Sequence, residues 1–255
     1  MLERFEFETP LGPIWLFGAA GVLADDRPVV LVILGALAPG EGQWSELADD
    51  LPEAAVLIAQ LPGNLCPSLA ATSVGAFAFA FDHVVQTKFF HREVIACGVS
   101  AGGLVALAMR SENVRPLALD PPLRTAKLWA AIPTFQRIFA EQPEHRDFLA
   151  NVMGVMGETI EDRDYTSLLA RPSRIVVGGI PTMPERAWTT MPSVVDRPEL
   201  QLMRDASHIH VTVVADAGHM LALEAWDFVV KVVRQMLARG AQSSLSAPPR
   251  RAACS

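Results

Sequence analysis

The sequence lacks an apolar run long enough to cross a membrane. Its longest apolar runs extend from Ile14 to Ala24 and from Val29 to Ala38, whereas a membrane-spanning helix needs about 20 predominantly apolar residues. The N-terminal segment, MLERFEFETP, also lacks the basic region followed by an apolar region that is typical of a secretory signal. We therefore expect a cytoplasmic protein without a membrane span.

Cysteine is scarce, and positive charge is not clustered outside the C-terminal tail. The three cysteines, Cys66, Cys97 and Cys254, are an odd number without metal-ligand spacing, which argues against a disulfide framework or a metal centre. The formal charge is −7, and the 21 basic residues are mostly dispersed. Because phosphate binding needs clustered Lys and Arg, we expect no nucleic-acid partner. We also expect no cofactor, and the sequence indicates no oligomeric state.

Apolar segments of two kinds alternate along the chain. Short runs rich in β-branched residues predict buried strands, and longer segments with apolar residues at helical spacing predict helices between them. The strand-like segments are PVVLVILG (28–35), AAVLIAQLPG (54–63), EVIACG (93–98), VRPLALDPP (114–122), RIVVGG (174–179) and HVTVVAD (210–216). The helix-like segments are 44–51, 73–90, 102–112 and 221–240. This alternation predicts an α/β fold with a mostly parallel, twisted sheet and helices on both faces.

The chain divides into a core, an insertion and a tail. With 255 residues and 51% hydrophobic composition it can form one large domain with a small insertion. Residues 123–171 interrupt the alternation with helical sequence broken by Pro133, Pro143 and Gly154, so we predict a helical cap there and a core formed by 1–122 and 172–240. Gly240 is expected to end the last helix. The segment 241–255 has too little apolar surface to order itself and is predicted to be a disordered tail.

A serine flanked by glycines lies between a predicted strand and a predicted helix. The segment CGVSAGG, residues 97–103, contains the pattern G-x-S-x-G centred on Ser100. A strand, a sharp turn and a helix form the context in which such a serine is exposed as a nucleophile. Glycine-flanked serines also occur by chance, so the prediction depends on the base, acid and oxyanion donors that a serine hydroxyl needs.

The candidate base is His219, in the segment DAGHM after the last predicted strand. Loops at the carboxyl ends of parallel strands are where α/β active sites lie. The other histidines, His83, His91, His145, His208 and His210, are expected to be surface or packing residues.

Taken together, these segments resemble the α/β-hydrolase fold. The resemblance covers roughly residues 28–238 and is carried by VVLVILG followed by Trp44, by QLPGN, CGVSAGG and LALDPP, and by DAGHMLALE. It implies the order nucleophile, acid, histidine. It also implies an oxyanion site formed by the backbone amide of Ala101 together with that of Ala36 or Leu37. The first strand ends in Leu34 and Gly35 where most members have His-Gly, and Glu224 matches a glutamate with a structural role.

The acid departs from the family pattern. Most members carry it after the strand that here reads RIVVGG, but Pro181 and Thr182 stand at that place. Some members place it one strand earlier, where this sequence has Asp120. An aspartate before proline is equally a common turn device. Asp196 and Glu185 are further candidates that would require their loop to fold back, and Asp216 is expected to be a local loop partner.

Three hypotheses of function follow. The first is a serine hydrolase that cleaves an ester, thioester or related acyl bond of a small molecule through an acyl-enzyme, with Ser100 as nucleophile, His219 as base and Asp120 as acid. Apolar cap residues would then favour a hydrophobic acyl or aromatic substrate, although at helical spacing such residues are more often part of a core than of a pocket; they are Trp129, Phe135, Phe139 and Phe148. The second is a binding protein that retains the fold without efficient catalysis. The third is a cofactor-free lyase or haloperoxidase-like activity of the same triad.

Overall fold

A computed structural model describes residues 2–38, 41–128, 131–180 and 191–246 of the chain. Eight strands form one sheet in the order β1-β2-β4-β3-β5-β6-β9-β10, and two short strands form a separate hairpin. The strands are β1 (Glu3–Thr9), β2 (Gly12–Gly18), β3 (Val29–Ile33), β4 (Ala55–Ala59), β5 (Val94–Val99), β6 (Val114–Leu119), β7 (Val155–Met156), β8 (Thr159–Ile160), β9 (Ser173–Gly178) and β10 (Ile209–Val214).

The large sheet is parallel except at one edge. β1 pairs antiparallel with β2, and β2 pairs antiparallel with β4, whereas every pairing from β4 to β10 is parallel. Parallel strands need crossover connections, which helices supply here. The helices are α1 (Leu47–Asp50), α2 (Val74–Lys88), α3 (Ala101–Ala108), α4 (Ile132–Glu141), α5 (Arg146–Asn151), α6 (Arg197–Asp205), α7 (Leu221–Glu224) and α8 (Trp226–Ser246).

Two apolar clusters cover the two faces of the sheet. Alternate residues of β3 point to opposite faces, so Leu31 and Ile33 join one cluster and Val30 and Val32 join the other. The first cluster contains the buried faces of α2 and α3, and the second contains those of α7 and α8. The prediction of a mostly parallel sheet with helices on both faces is therefore confirmed.

Residues 123–171 contain the helices α4 and α5 and the β7–β8 hairpin. Their apolar side chains are not a separate core, because Phe135, Phe148 and Val155 belong to the cluster that also contains α2 and α3. The division of the chain into cap and core remains a prediction. Trp129 lies outside the described residues.

Four features of the fold differ from the sequence prediction or were missed by it. The antiparallel β1–β2 pair and helix α6 were not predicted. The segment predicted as a helix over 44–51 is a 3₁₀-helix, Gly42–Glu46, followed by the short helix α1. Helix α8 does not end at Gly240 but continues to Ser246, because the residues after Gly240 include no proline before Pro248. The rest of the predicted tail, 247–255, lies outside the described residues.

Candidate active site

Ser100 occupies the sharp turn between β5 and α3. Its backbone has φ 53° and ψ −120°, in the left-handed half of conformational space that residues other than glycine rarely adopt. The turn is held against the next strand, because the Ser100 amide donates to the Leu119 carbonyl at 2.9 Å. On the other side of the turn, Gly102 permits α3 to pack closely against the end of β3, since a Cβ there would lie 2.2 Å from the carbonyl oxygen of Ile33. Strain of this kind, supported by its surroundings, is typical of functional sites.

His219 lies in the loop between β10 and α7. The ring is largely buried, and hydrogen bonds of the Gly218 and His219 amides hold the loop in place. The His219 amide donates to the Met191 carbonyl at 2.9 Å, and the amide of Gly218 donates to Glu224 Oε2, also at 2.9 Å. By accepting from the Gly218 amide, Glu224 stabilises the loop that carries His219, in keeping with the structural role expected for it.

The structure brings Ser100, His219 and Asp120 together. His219 Nε2 lies 3.1 Å from Ser100 Oγ, and His219 Nδ1 lies 2.7 Å from Asp120 Oδ2. A carboxylate accepts at Nδ1, so Nδ1 carries the hydrogen and Nε2 is left as an acceptor facing the serine hydroxyl. The arrangement can therefore take a proton from Ser100 when the hydroxyl attacks an electrophile.

Asp120 follows β6 directly and is fully buried. Besides His219 Nδ1 it accepts, from described residues, three hydrogen bonds: from the Gly178 amide at 3.1 Å, the Ser193 hydroxyl at 2.7 Å and the Val194 amide at 2.9 Å. Each carboxylate oxygen thus receives two donors, which matches its acceptor capacity. Burying a carboxylate is costly unless it is hydrogen-bonded, and these four donors satisfy Asp120 next to the imidazole.

The other carboxylates considered from sequence have different positions. Asp196 is the N-cap of α6 and forms a capping box with Glu199, whereas the described carboxylate within hydrogen-bond distance of His219 Nδ1 is that of Asp120. A helix N-cap gains its own stabilisation from a carboxylate, which explains the residue without catalysis. Asp216 is exposed. Glu185, Pro181 and Thr182 lie outside the described residues.

The loop after β3 approaches the serine. A Cβ on Gly35 would lie 3.2 Å from Ser100 Cβ, so the following residues, Ala36 and Leu37, are adjacent to the nucleophile turn. Leu37 has a positive φ of 55°. Asn64 Nδ2 donates to the Gly35 carbonyl at 3.3 Å and links this loop to the end of β4.

Ala101 is the first residue of α3. Amides in the first turn of a helix have no acceptor within the helix, and the helix dipole adds positive potential there. The Ala101 amide is therefore available to an anionic atom next to Ser100. The assignment of Ala36, Leu37 and Ala101 as oxyanion donors remains a prediction.

The two cysteines that the structure describes, Cys66 and Cys97, do not compete with Ser100 as nucleophiles. Burial raises the pKa of Cys97, three residues before Ser100, to about 12, and it raises the pKa of Cys66 to about 12 as well. Because the thiolate is the nucleophilic form, both thiols are unreactive near neutral pH. Cys254 lies outside the described residues.

Within the described ranges no three His, Cys, Asp or Glu side chains are placed to hold a metal ion. The same ranges contain no helix long and apolar enough to cross a membrane.

The groups that donate hydrogen bonds to Asp120, apart from His219, could not be identified from the sequence. Ser193 and Val194 precede α6 in a segment without a motif, and Gly178 was predicted only as the end of a strand. Their role depends on chain folding between β9 and α6, for which the local sequence carries no periodic signal. The order of the strands in the sheet would have placed Gly178 beside Asp120, because β6 and β9 are neighbours.

The phenylalanines predicted to line a substrate pocket contribute to packing. Phe148 is fully buried and stacks on Phe77 of α2 with 6.2 Å between ring centroids. Phe135 is buried in the same cluster, and Phe139 packs against it.

Comparisons with known proteins agree with this architecture. A family model described as "Alpha/beta hydrolase family" matches residues 17–232. No curated protein matches the chain by sequence. Among solved structures, a carboxylesterase from Bacillus subtilis is 16% identical with a TM-score of 0.64, the match covering 93% of this chain and 92% of that one.

Two further structures are similar over nearly their whole length. An N-formylmaleamic acid deformylase from Pseudomonas putida is 17% identical with a TM-score of 0.62, over 91% of this chain and 100% of that one. A thioesterase domain from the curacin biosynthetic pathway is 18% identical with a TM-score of 0.59, over 91% and 99% of the two chains. At these identities the likeness establishes the fold.

Proposed function

The chain belongs to the alpha/beta hydrolase family, and we propose that it is a serine hydrolase that cleaves an ester, thioester or related acyl bond through an acyl-enzyme. The observation that carries the proposal is the continuous relay from Ser100 Oγ through His219 to Asp120, with gaps of 3.1 and 2.7 Å. Each gap is short enough for a hydrogen bond, which is the geometric requirement for general-base activation of a serine.

In the first half of the reaction Ser100 Oγ attacks the acyl carbon. The hydroxyl proton passes to His219 Nε2, and the negative charge that forms on the acyl oxygen is stabilised by the amides of Ala101 and of Ala36 or Leu37. The bond to the leaving group then breaks, and His219 returns its proton to the departing alcohol or thiol. Asp120 stays ionised throughout and stabilises the imidazolium.

In the second half a water molecule replaces the leaving group. His219 accepts a proton from the water as it attacks the acyl carbon, and the oxyanion donors act again. Collapse of this intermediate breaks the bond to Ser100 Oγ, which regains a proton from His219. The products are the free enzyme and a carboxylic acid.

The carboxylesterase and the thioesterase domain among the similar structures support oxygen esters and thioesters as the first substrates to test. We expect the purified protein to hydrolyse p-nitrophenyl esters or acyl thioesters with a stoichiometric burst of leaving group. Ser100→Ala should lower kcat by at least about 10⁴-fold, because the nucleophile acts as a unit with its base.

The contrary outcome is a wild-type protein that is folded and yet turns over no member of an ester and thioester series. A biological activity that survives Ser100→Ala would instead favour the second hypothesis, a binding protein that retains the fold without efficient catalysis. Turnover of a non-acyl substrate that depends on Ser100 would favour the lyase or haloperoxidase-like alternative.

A further inference from the structure

The segment Met191–Val195, which precedes α6, contacts both the base and the acid of the candidate site. The Met191 carbonyl accepts from the backbone amide of His219 at 2.9 Å. Two residues later, the Ser193 hydroxyl and the Val194 amide donate to the two oxygens of Asp120. The Ser193 amide donates to the Ile180 carbonyl at 3.0 Å, which ties the segment to the end of β9. One short segment therefore fixes the relative position of two residues that are 99 positions apart in the chain.

Some donors to Asp120 are backbone amides, which a substitution does not remove, and others are side chains, which it can remove. Two are the backbone amides of Gly178 and Val194, and the third is the imidazole of His219 itself. Among the described residues, Ser193 is thus the only side chain besides the base that donates to this carboxylate. Asp120 has a positive φ of 47°, a backbone conformation that residues other than glycine rarely adopt.

The Ser193 hydroxyl directs its single hydrogen to Asp120. Its oxygen accepts from the Val195 amide at 3.2 Å. Among the residues that the structure describes, the other acceptor within reach is the Val195 carbonyl at 3.5 Å, compared with 2.7 Å for Asp120 Oδ1. A hydrogen bond to a carboxylate is stronger than one to a neutral carbonyl, so the contact with Asp120 is favoured over the contact with the Val195 carbonyl. Ser193 is 1% exposed, so water does not compete for the contact.

We propose that Ser193 is a positioning residue that holds the Asp120 carboxylate in the rotamer that presents Oδ2 to His219 Nδ1. The proposal rests on the serine hydrolase function proposed above. When Oδ1 is bound by Gly178 and Ser193, rotation about the Cβ–Cγ bond of Asp120 would break both of these contacts. Without the hydroxyl, Oδ1 keeps the Gly178 amide as its donor, and the carboxylate is held less firmly against rotation away from the imidazole. The tautomer and orientation of His219 then lose their support.

The test compares Ser193→Thr with Ser193→Val, because threonine and valine have nearly the same volume and only threonine keeps the hydroxyl. We expect kcat of the valine variant to be about 10- to 100-fold below that of the threonine variant, the factor that one hydrogen bond to a charged group contributes. KM should change by less than about twofold, since Ser193 is buried and acts on the reaction through Asp120. Ser193→Ala should resemble the valine variant.

Ser111 provides the matched control. It is also a buried serine, and its hydroxyl donates to a buried aspartate, Asp82, at the same distance of 2.7 Å. Ser111→Ala should lower the melting temperature about as much as Ser193→Ala does and leave kcat at the wild-type value. In the Asp120→Asn background, Ser193→Val should have less than about twofold further effect, because the residue acts through Asp120.

Equal kcat in the threonine and valine variants would overturn the proposal, as would a full additional loss in the Asp120→Asn background. Failure of the proposed function looks different, because the wild-type protein itself would then lack Ser100-dependent turnover. If the valine and alanine variants do not fold, the test uses the threonine variant alone. Because threonine keeps the hydroxyl, its kcat should stay within about threefold of the wild-type value. A kcat as low as that of Asp120→Asn would contradict the role of the hydroxyl.

Discussion

At the scale of single residues, Asp120 is the group on which the proposed chemistry depends most. It accepts the Nδ1 hydrogen of His219 at 2.7 Å while its other contacts are used by neutral donors. Replacing Asp120 with asparagine puts an NH₂ group where two donors already point. We expect kcat to fall by about 10³- to 10⁴-fold, because the histidine would then be held in the wrong tautomer. Steady-state kinetics on the best ester substrate, with circular dichroism to verify the fold, measure this effect.

Asp196 is the control for this substitution. As the N-cap of α6 it should contribute about 1 kcal/mol to the free energy of unfolding and nothing to turnover. Asp196→Ala is therefore expected to lower stability modestly with kcat within about twofold of wild type. If Asp196→Ala abolished turnover and Asp120→Asn did not, the assignment of the acid would be reversed.

Single residues differ in how far the sequence predicts them. Ser100 and His219 could be predicted because each is embedded in a local pattern, a glycine turn between strand and helix and a loop after the last strand. Asp120 remained one of several candidates, since its role depends on what surrounds the end of β6. Ser193 could not be predicted, because its contact with Asp120 spans 73 positions and has no local signature.

At the scale of elements, the close approach of α3 to β3 determines the shape of the nucleophile turn. A Cβ on Gly102 would lie 2.2 and 2.5 Å from the carbonyl oxygens of Ile33 and Leu34. Backbone atoms of a central strand move aside only at a cost, so Gly102→Ala should lower the free energy of unfolding by about 3 kcal/mol, the upper end of the range for overpacking. Urea denaturation followed by circular dichroism measures the loss.

Gly75, near the start of α2, offers the comparison for Gly102. The nearest atom to a Cβ there is Ser73 Oγ at 4.0 Å, so alanine fits without a clash and has the higher helix propensity. Gly75→Ala should leave stability unchanged or raise it by up to about 1 kcal/mol. Equal effects of the two substitutions would mean that α3 does not require a glycine at its contact with β3.

The elements of the parallel sheet were predictable because each is a continuous apolar run between turn residues. The β1–β2 pair was missed although ERFEFET alternates polar and apolar residues, as expected for a strand with one exposed face. Helix α6 was not predicted because few of its side chains are apolar and buried, so the sequence shows no clear apolar residues at helical spacing. Its start nevertheless carries a readable signal, the capping box of Asp196 and Glu199 with Pro198 in the first turn.

At the scale of the whole molecule, the segment 123–171 and the sheet share one apolar cluster. Phe148 of α5 is fully buried and stacks on Phe77 of α2. We expect Phe148→Ala to cost about 3–5 kcal/mol and to lower the melting temperature of the entire chain by about 6–20 °C in a single transition. Differential scanning calorimetry distinguishes this from the separate melting of a cap.

Phe90, which is 70% exposed, is the control, and its replacement by alanine should change stability by no more than about 0.5 kcal/mol. Two resolved transitions in the Phe148→Ala variant, or a melting temperature equal to that of Phe90→Ala, would show that residues 123–171 fold independently of the sheet.

Reaction of the purified protein with a fluorophosphonate, which phosphonylates an activated serine with loss of fluoride, tests directly whether Ser100 is a working nucleophile. Intact-mass and peptide mass spectrometry should find one adduct per chain, on Ser100, with none in Ser100→Ala and much slower labelling in Asp120→Asn. A folded wild-type protein that remains unlabelled, or an adduct on another residue, would contradict the proposal that Ser100, His219 and Asp120 form a working nucleophilic site.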